Sequence, residues 1–347
     1  MGQNTNHLYP KAAIRAAVQA AMREVRYEEY PMPAGMEELK ALLREDYALP
    51  EQKVGLTSGG TEALYMITRA LLNPGDEVVA SDPSYMIIHK FIELSGAHTI
   101  NNEIYSAPYR LTADRVNASI TPKTKMILLI DPLNPLGSGY PESEVRAIAE
   151  IAHDRKLILL NDVTYRDFAD GHTLAAKTAP EETITVWSLS KNCGLAGLRI
   201  GGLMARGELF DRIWKYNTND LGINVVSQWA GLAAMKVKNE VFPRIKKRTR
   251  MNQRKIKRMV DSIPGAFLPV YPSQGNMFVI DISATGVDPV RLQRELLEHH
   301  NVFLRSGTYL SPKFGSRFIR VSFSNSPKDV DRMVQAFPVA LAKLRTP

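Results

Sequence analysis

The sequence contains very little cysteine and no long apolar run. Cys193 is the only cysteine among 347 residues, so the chain cannot form an internal disulfide, and no cluster of Cys and His suggests a metal site. No apolar segment approaches the roughly 20 residues that span a bilayer. The opening residues, MGQNTNHLYPK, lack the apolar core of a signal peptide. These absences argue against disulfide-stapled, secreted and membrane-spanning classes, and we expect a protein of the reducing cytoplasm.

The sequence also lacks an excess of acidic over basic residues. The chain has 44 Lys and Arg against 36 Asp and Glu, for a formal net charge of +8. Nine of the basic residues lie within residues 244–258, RIKKRTRMNQRKIKR, and without them the rest of the chain is close to neutral. One helical face of this region collects Phe242, Ile245, Asn252, Ile256 and Met259. This pattern favours an amphipathic helix with a solvated basic side over a phosphate-tracking surface, because no aromatic residues interleave the cations.

The chain does contain short apolar, β-rich runs that alternate with helical patterns. Strands are predicted at residues 54–56, 77–80, 125–130, 156–160 and 183–187. Helices are predicted at residues 11–25, 61–72 and 142–154, the first from apolar residues at Ile14, Val18, Met22 and Val25. Continuous apolar strands that alternate with helices are typical of an α/β fold with a largely parallel sheet covered on both faces.

After the basic segment the order of elements changes. Strands are predicted at residues 275–280, 302–304 and 318–322, with helices at residues 290–299 and from residue 328 onward. This order predicts a second, smaller α+β domain at the C-terminal end.

Polar residues follow five of the predicted strands. The segments are residues 58–62 (SGGTE), 82–85 (DPSY), 131–135 (DPLNP), 161–165 (NDVTY) and 188–191 (SLSK). In parallel α/β sheets, ligands bind beyond the carboxyl ends of the strands. We therefore expect the five segments to form one site.

Taken in order, these segments resemble the aspartate aminotransferase superfamily of pyridoxal-phosphate enzymes, fold type I, class I/II. The segment SLSKNCGLAGLRIGG is similar to that family's SxSKxxGLAGLRxG, and the resemblance covers nearly the whole chain. The opening NTNHLYPKA is most similar to the histidinol-phosphate aminotransferase branch. The resemblance implies an N-terminal segment at residues 1–35 that joins the small domain and a dimer contact. It also implies a large cofactor-binding domain at residues 36–240 and a small domain at residues 241–347.

The resemblance assigns a role to each residue around the cofactor ring. Lys191 corresponds to the Schiff-base lysine, whose pKa must fall from its reference value of roughly 10.4 before the amine can react. Asp162 corresponds to the carboxylate that keeps the ring nitrogen protonated, so that the ring accepts electrons. Tyr165 and Asn134 correspond to hydrogen-bond partners of the phenolic oxygen, and Tyr85 to the aromatic that stacks on the ring. Read alone, Lys191 could be a surface lysine, Asp162 a helix cap and Asn134 part of a turn.

The cofactor phosphate needs hydrogen-bond donors, and the resemblance implies several. The cofactor-binding residues assigned in this way are Gly59, Gly60, Thr61, Ser188, Ser190 and Arg199. The first three lie where a loop enters a helix, which favours anion binding, although such a segment alone could be a mere turn. Tyr30 resembles the tyrosine that reaches the phosphate of the neighbouring subunit. A homodimer with shared active sites is therefore implied.

Substrate contacts are implied for two arginines. Arg320 matches the arginine that grips a carboxylate, and Arg305 matches a second arginine near the substrate's other anionic end, although it could instead be a surface residue of an edge strand. His7, Tyr9 and Asn219 are further candidates for lining the pocket. The sequence departs from the family pattern at Leu136, where threonine is usual, and at Thr164, where alanine or glutamate is common.

The resemblance implies an aminotransferase that moves an amino group between an amino acid, or an amine derived from one, and a 2-oxo acid. It would act through the Lys191 Schiff base and pyridoxamine phosphate. A decarboxylase similar to threonine-phosphate decarboxylase, or another pyridoxal-phosphate enzyme of a specialised biosynthetic pathway, remains the alternative. A nicotinamide-dependent dehydrogenase is disfavoured because no GxGxxG follows the first strand. Because the family pattern starts within the first few residues, a transcription regulator with a preceding winged helix is disfavoured too. No metal, nucleic acid or membrane partner is expected.

Overall fold

The larger part of the chain is built around one seven-stranded sheet. The computed structural model describes residues 1–24 and 28–345. The strands are β1 Lys53–Thr57, β2 Glu77–Asp82, β3 His98–Glu103, β4 Thr124–Ile130, β5 Ile158–Asp162, β6 Thr183–Ser188 and β7 Gly201–Ala205. Their order across the sheet is β1-β7-β6-β5-β4-β2-β3. Strand β7 pairs antiparallel with both of its neighbours, and the remaining pairs are parallel. The predicted mostly parallel sheet is therefore confirmed.

Helices cover both faces of this sheet. They are α1 Lys11–Glu24, α2 Glu37–Tyr47, α3 Gly60–Leu71, α4 Met86–Leu94, α5 Ala113–Ser119, α6 Glu142–Asp154, α7 Leu189–Asn192 and α8 Gly207–Trp214. Strand β4 shows why its sequence is continuously apolar. Its alternate residues Met126 and Leu128 pack with α3 and α4, whereas Ile127 and Leu129 pack with α5 and α6. Burial on both sides removes the polar positions that a half-exposed strand would have.

A three-stranded sheet in the order β8-β10-β9 forms the second, smaller unit. Its elements are β8 Met277–Asp281, α10 Pro289–His300, β9 Arg305–Ser306, β10 Phe318–Ser322 and α11 Pro327–Arg345. Both pairings are antiparallel. Apolar side chains from this sheet, α10 and α11 form their own core, as the α+β pattern predicts. One face of the small sheet packs in this core, whereas Val279 and Phe318 join a core of the seven-stranded sheet.

The basic segment is the second half of one long helix, α9 Val225–Asp261. Its predicted apolar face is buried, with Ile256 fully covered and Phe242 only 7% exposed. Arg244 and Lys247 are exposed on the other side. The predicted amphipathic helix is confirmed, although the sequence pattern did not indicate its start. The helix also crosses residue 240, where the domain boundary was expected, and that boundary stays a prediction.

Three local predictions need correction or fall outside the described residues. Residues 302–304 are not a strand, because Val302 and Leu304 owe their apolar character to burial in the small core, and pairing begins only at Arg305. The fifth strand begins at Ile158 instead of residue 156, since Lys156 adopts a left-handed φ of 54°. Val25, the last residue of the first predicted helix, lies outside the described residues.

Strands β3 and β7 were not predicted. The first reads HTINNE and is polar, and the second reads GGLMA and begins with two glycines. Neither has the apolar, β-branched pattern that marks a buried strand. Within residues 1–24 and 28–345, no helix combines the length and apolar character that crossing a bilayer requires. Over the same residues, no group of three His, Cys, Asp or Glu side chains is arranged to hold a metal ion.

Candidate active site

A cavity of about 230 Å³ lies at the carboxyl ends of the central strands. Its wall includes eleven of the residues that the sequence analysis assigned to the site. They are Gly60, Thr61, Tyr85, Asn134, Asp162, Tyr165, Ser188, Ser190, Lys191, Arg199 and Arg320. The remaining wall residues are Gln3, Asn4, Leu64, Ile130 and Thr164, of which only Thr164 belongs to one of the five segments that the sequence analysis expected to form the site. The five polar strand ends thus meet at one cavity, because parallel strands end at the same edge of a sheet.

Three assigned residues are not part of the cavity wall. Gly59 lies just behind it, at a φ of 81°, and a Cβ there would come within 2.3 Å of Nη2 of Arg199. Tyr30 is 78% exposed and lies outside the cavity of its own chain. Arg305 is paired with Arg320 in the register of β9 and β10.

The structure does not place His7, Tyr9 or Asn219 at the wall of this cavity. His7 and Tyr9 border a separate cavity, and Asn219 is absent from the wall of the first one. The hydroxyl of Tyr9 donates to the carbonyl of Ala234 at 2.8 Å. The amide of Asn6 donates to the carbonyl of Asn192 at 3.1 Å, which ties the segment just before His7 to the end of α7.

One end of the cavity is built to bind an anion. Helix α3 begins at Gly60, so its free backbone N–H groups and its dipole face the cavity. Arg199 adopts a left-handed φ of 51° and donates to the carbonyls of Ala196 and Ser58, at 3.0 and 3.3 Å. Because both acceptors are neutral, the guanidinium charge remains available to an anion. Ser188 adds a hydroxyl that already accepts from the amide of Ser190 at 3.2 Å.

The opposite side carries a buried carboxylate. Asp162 is the last residue of β5 and is 7% exposed. Burial raises its pKa above the usual range, and two hydrogen bonds from Thr164 oppose that rise. Both bonds end on Oδ1, at 2.6 Å from the hydroxyl and 3.0 Å from the amide. This leaves Oδ2 for a donor that enters the cavity.

Lys191 lies between these two groups, on the short helix α7. Burial, followed by the positive charges of Arg320 and Arg199, lowers its pKa to about 8. Its Nζ donates to the carbonyl of Gln3 at 3.4 Å. An amine with this pKa is partly neutral near pH 7 and can attack an aldehyde, which an ordinary lysine does poorly.

Arg320 brings a buried positive charge into the cavity from the middle of β10. Its Nη1 donates to Oδ1 of Asn134, and its Nη2 donates to the carbonyl of Gly2, both at 2.8 Å. Burial lowers its pKa to about 10. Among the described residues it has no carboxylate partner, and its Nε has no hydrogen-bond partner. A buried cation that is held only by neutral acceptors is suited to bind an anionic ligand.

Two tyrosines complete the wall. Tyr165 is 5% exposed, and its hydroxyl accepts a hydrogen bond from Nδ2 of Asn4 at 3.2 Å. Tyr85 precedes the first turn of α4 and is partly buried. Leu136, one of the two departures from the family pattern, is fully buried in the core beneath the site and does not line the cavity.

The donor set of this cavity fits pyridoxal phosphate. The helix terminus with Arg199 matches the phosphate, the amine of Lys191 matches the aldehyde, and the free oxygen of Asp162 matches the ring nitrogen. A family model described as "Aminotransferase class I and II" matches residues 1–337. The chain belongs to this family. Its members depend on pyridoxal phosphate, and this aminotransferase therefore uses that cofactor.

Individual relatives agree with the family assignment. The aspartate/prephenate aminotransferase of Thermus thermophilus is 26% identical over 347 residues, which cover 96% of this chain and 87% of the relative. Histidinol-phosphate aminotransferase 1 of Mesorhizobium japonicum is 30% identical over 68% of this chain and 64% of its own length. The structure of N-succinyldiaminopimelate aminotransferase from Mycobacterium tuberculosis superposes with a TM-score of 0.87 at 22% identity, over 98% of this chain and 92% of that one. That superposition establishes the aminotransferase fold.

Proposed function

We propose that this aminotransferase moves the amino group of an α-amino acid to a 2-oxo acid, with Lys191 as its catalytic base. The observation that supports this most is the convergence of Lys191, Asp162 and Arg320 on one cavity. The three side chains supply an amine, a carboxylate and a cation, which are the groups that amino transfer through pyridoxal phosphate requires.

Different residues would hold the aldehyde, the ring and the phosphate of the cofactor. Lys191 would bond the aldehyde carbon, Asp162 would accept from the ring nitrogen, and Tyr85 would cover the ring. The phosphate would lie at the start of α3 with Thr61, Ser188, Ser190 and Arg199. When bound, the cofactor supplies an aldehyde that takes up the amino group and a ring that accepts electrons from the α-carbon.

Lys191 carries the proton transfer in this proposal. The free amine of Lys191, with its pKa lowered to about 8, would take the proton from the substrate's α-carbon and later return it. Asp162, ionised, keeps the proton on the ring nitrogen. Arg320 grips the substrate's α-carboxylate and so fixes which bond at the α-carbon faces Lys191.

Arg305 is proposed to bind a second anionic group of the substrate. It is opposite Arg320 in the antiparallel register, and directly opposed residues project from the same face of a sheet. Its guanidinium lies over the rings of Phe303 and Tyr309, which restrain it without neutralising its charge. An amino donor with two anionic ends would therefore be preferred to one with an apolar side chain.

We further propose a homodimer with shared active sites. Tyr30 lies outside the cavity of its own chain and is largely exposed, so it can serve as a phosphate donor only in a partner's site. The single cysteine, Cys193, is buried and unpaired, which is consistent with a reducing compartment such as the cytoplasm.

The test combines trapping with an acceptor assay. Borohydride treatment of cofactor-loaded wild type should attach the cofactor to residue 191, as read from peptide masses. Lys191→Ala should show no such adduct and no turnover. Lys125→Ala, which removes an exposed lysine at the start of β4, is the matched control and should behave like wild type.

Amino donors are then added with and without a 2-oxo acid. Product formation that depends on the acceptor supports amino transfer. Release of carbon dioxide without consumption of acceptor would instead favour the decarboxylase alternative, and an adduct at another lysine would refute the role of Lys191.

A further inference from the structure

A short N-terminal segment contacts the candidate active site through one side chain that sequence reasoning missed. The two preceding residues reach the site through backbone carbonyls, whereas Asn4 uses its side-chain amide. Nδ2 of Asn4 donates to the hydroxyl of Tyr165 at 3.2 Å. Asn4 also lines the cavity and is only 2% exposed.

Asn4 has an unusual backbone conformation, and its backbone carbonyl as well as its side chain is hydrogen-bonded. Its backbone has a left-handed φ of 54°, which asparagine tolerates better than most residues. Its carbonyl accepts from Nδ2 of Asn276 at 2.9 Å, and Asn276 is fully buried ahead of β8. The side-chain Oδ1 of Asn4 is buried without a partner. A left-handed residue with an unsatisfied acceptor is costly, which points to a function for this side chain.

A tyrosine hydroxyl has one hydrogen, and that hydrogen cannot point at another donor. Since Asn4 occupies an acceptor direction of the Tyr165 oxygen, the hydrogen must point elsewhere. We propose that Asn4 is a positioning residue, which directs the hydroxyl hydrogen of Tyr165 into the cavity. The inference rests on the proposed function and on the role that the family resemblance gives Tyr165, which is to donate to the phenolic oxygen of the cofactor.

Tyr165 can act as a donor over the whole working pH range. Burial raises the pKa of its hydroxyl above the usual value, and the nearby charge of Arg320 and the bond from Asn4 oppose this only in part. The hydroxyl therefore stays protonated, and only the direction of its hydrogen remains to be set. Asn4 sets that direction without touching the reacting atoms.

The test uses two substitutions that keep the backbone conformation accessible. Asn4→Asp has nearly the same shape but only accepts hydrogen bonds, so the hydrogen of Tyr165 should turn toward it. Asn4→Gly removes the amide and adopts positive φ without strain. Thr5→Ala is the matched control, because the hydroxyl of Thr5 contacts only His7 and does not line the cavity.

The readout is the pH midpoint at which the absorption band of the cofactor-loaded protein shifts. If Tyr165 no longer donates, the phenolic oxygen becomes a stronger acceptor, and the adjacent nitrogen of Lys191 retains its proton to higher pH. Both Asn4 variants should raise the midpoint by roughly half to one pH unit, which corresponds to one lost hydrogen bond. The control should leave it unchanged.

A double-substitution cycle separates positioning from other effects. In a Tyr165→Phe background, Asn4→Gly, which introduces no charge, should not move the midpoint further. A shift that persists in that background, or no shift in the single variants, overturns the inference while the proposed function stands. If wild type itself forms no band bound at Lys191, the proposed function has failed instead.

Discussion

Thr164 donates two hydrogen bonds to the same oxygen of Asp162, from its hydroxyl at 2.6 Å and from its amide at 3.0 Å. Position 164 is one of the two places where the sequence departs from the family pattern. The side chain there stabilises the charged form of a carboxylate whose pKa is raised by burial. The departure is therefore tied to the ionisation of the residue that would bind the ring nitrogen.

Replacement of Thr164 by valine should weaken cofactor binding. The substitution keeps the shape but removes the hydroxyl donor, so the pKa of Asp162 rises further and more of the carboxyl is protonated at low pH. We expect the dissociation constant of pyridoxal phosphate to increase about five- to tenfold near pH 6, with a smaller effect near pH 8. Equilibrium titration of the apoprotein at both pH values measures this. Thr164→Ser keeps a hydroxyl and should bind nearly as wild type does, and equal loss in both variants would contradict the explanation.

Capture of pyridoxal phosphate by the apoprotein should depend on the ionisation of Lys191. Only the neutral amine attacks the aldehyde, and its pKa is lowered to about 8. The rate should rise as pH increases and level off above about pH 8, well below the usual lysine value of roughly 10.4. Stopped-flow absorbance measures the profile. Arg320→Met removes a neighbouring positive charge and should move the midpoint to higher pH; an unshifted midpoint would show that burial alone lowers the pKa.

Arg305→Gln should impair donors that carry two anionic groups and spare donors with apolar side chains. The substitution removes the charge opposite Arg320 but keeps hydrogen-bonding capacity. We expect kcat/KM for a dicarboxylic or phosphorylated donor to fall about tenfold to a hundredfold, mainly through KM. Steady-state kinetics with one donor of each kind gives the ratio. Equal losses for both kinds would indicate a structural role for Arg305.

Shared active sites predict complementation between two inactive variants. In a mixed dimer of Tyr30→Ala and Lys191→Ala, one site combines an intact Lys191 with the partner subunit's intact Tyr30. After denaturation and joint refolding of equal amounts, about a quarter of wild-type activity should return, because half of the dimers carry one complete site. Light scattering should show a dimer for each variant. No recovery in mixtures that do exchange subunits would place Tyr30 outside the partner's site.

The sequence was sufficient to predict the strand-end part of the site. Asp162 and Ser188 end buried strands, and Lys191 follows the latter within three residues. Their apolar strands are recognisable without long-range information, and parallel pairing brings their ends together. The same reasoning missed β7, because its glycines suppress the strand pattern.

The positions of Gln3 and Asn4 in the cavity wall could not be predicted from the sequence pattern. Asn4 and Tyr165 are 161 positions apart, and Gln3 contacts Lys191 through a backbone carbonyl, which has no sequence signature. The opening residues carried only a family resemblance, and the candidates for the pocket that the sequence analysis named there were His7 and Tyr9. Asn6 likewise bonds to a distant position, because its amide donates to the backbone carbonyl of residue 192.

The hydrogen bonds between the N-terminal segment and β10 bear on how the protein is made. Gly2 accepts from Arg320, and Met1 accepts from the amide of Ser322, so residues synthesised early are bonded to residues synthesised near the end. A nascent chain that has not yet reached β10 lacks both Arg320 and the amide of Ser322, which are the partners of residues 1 and 2. These two hydrogen bonds can therefore form only after translation has passed residue 322.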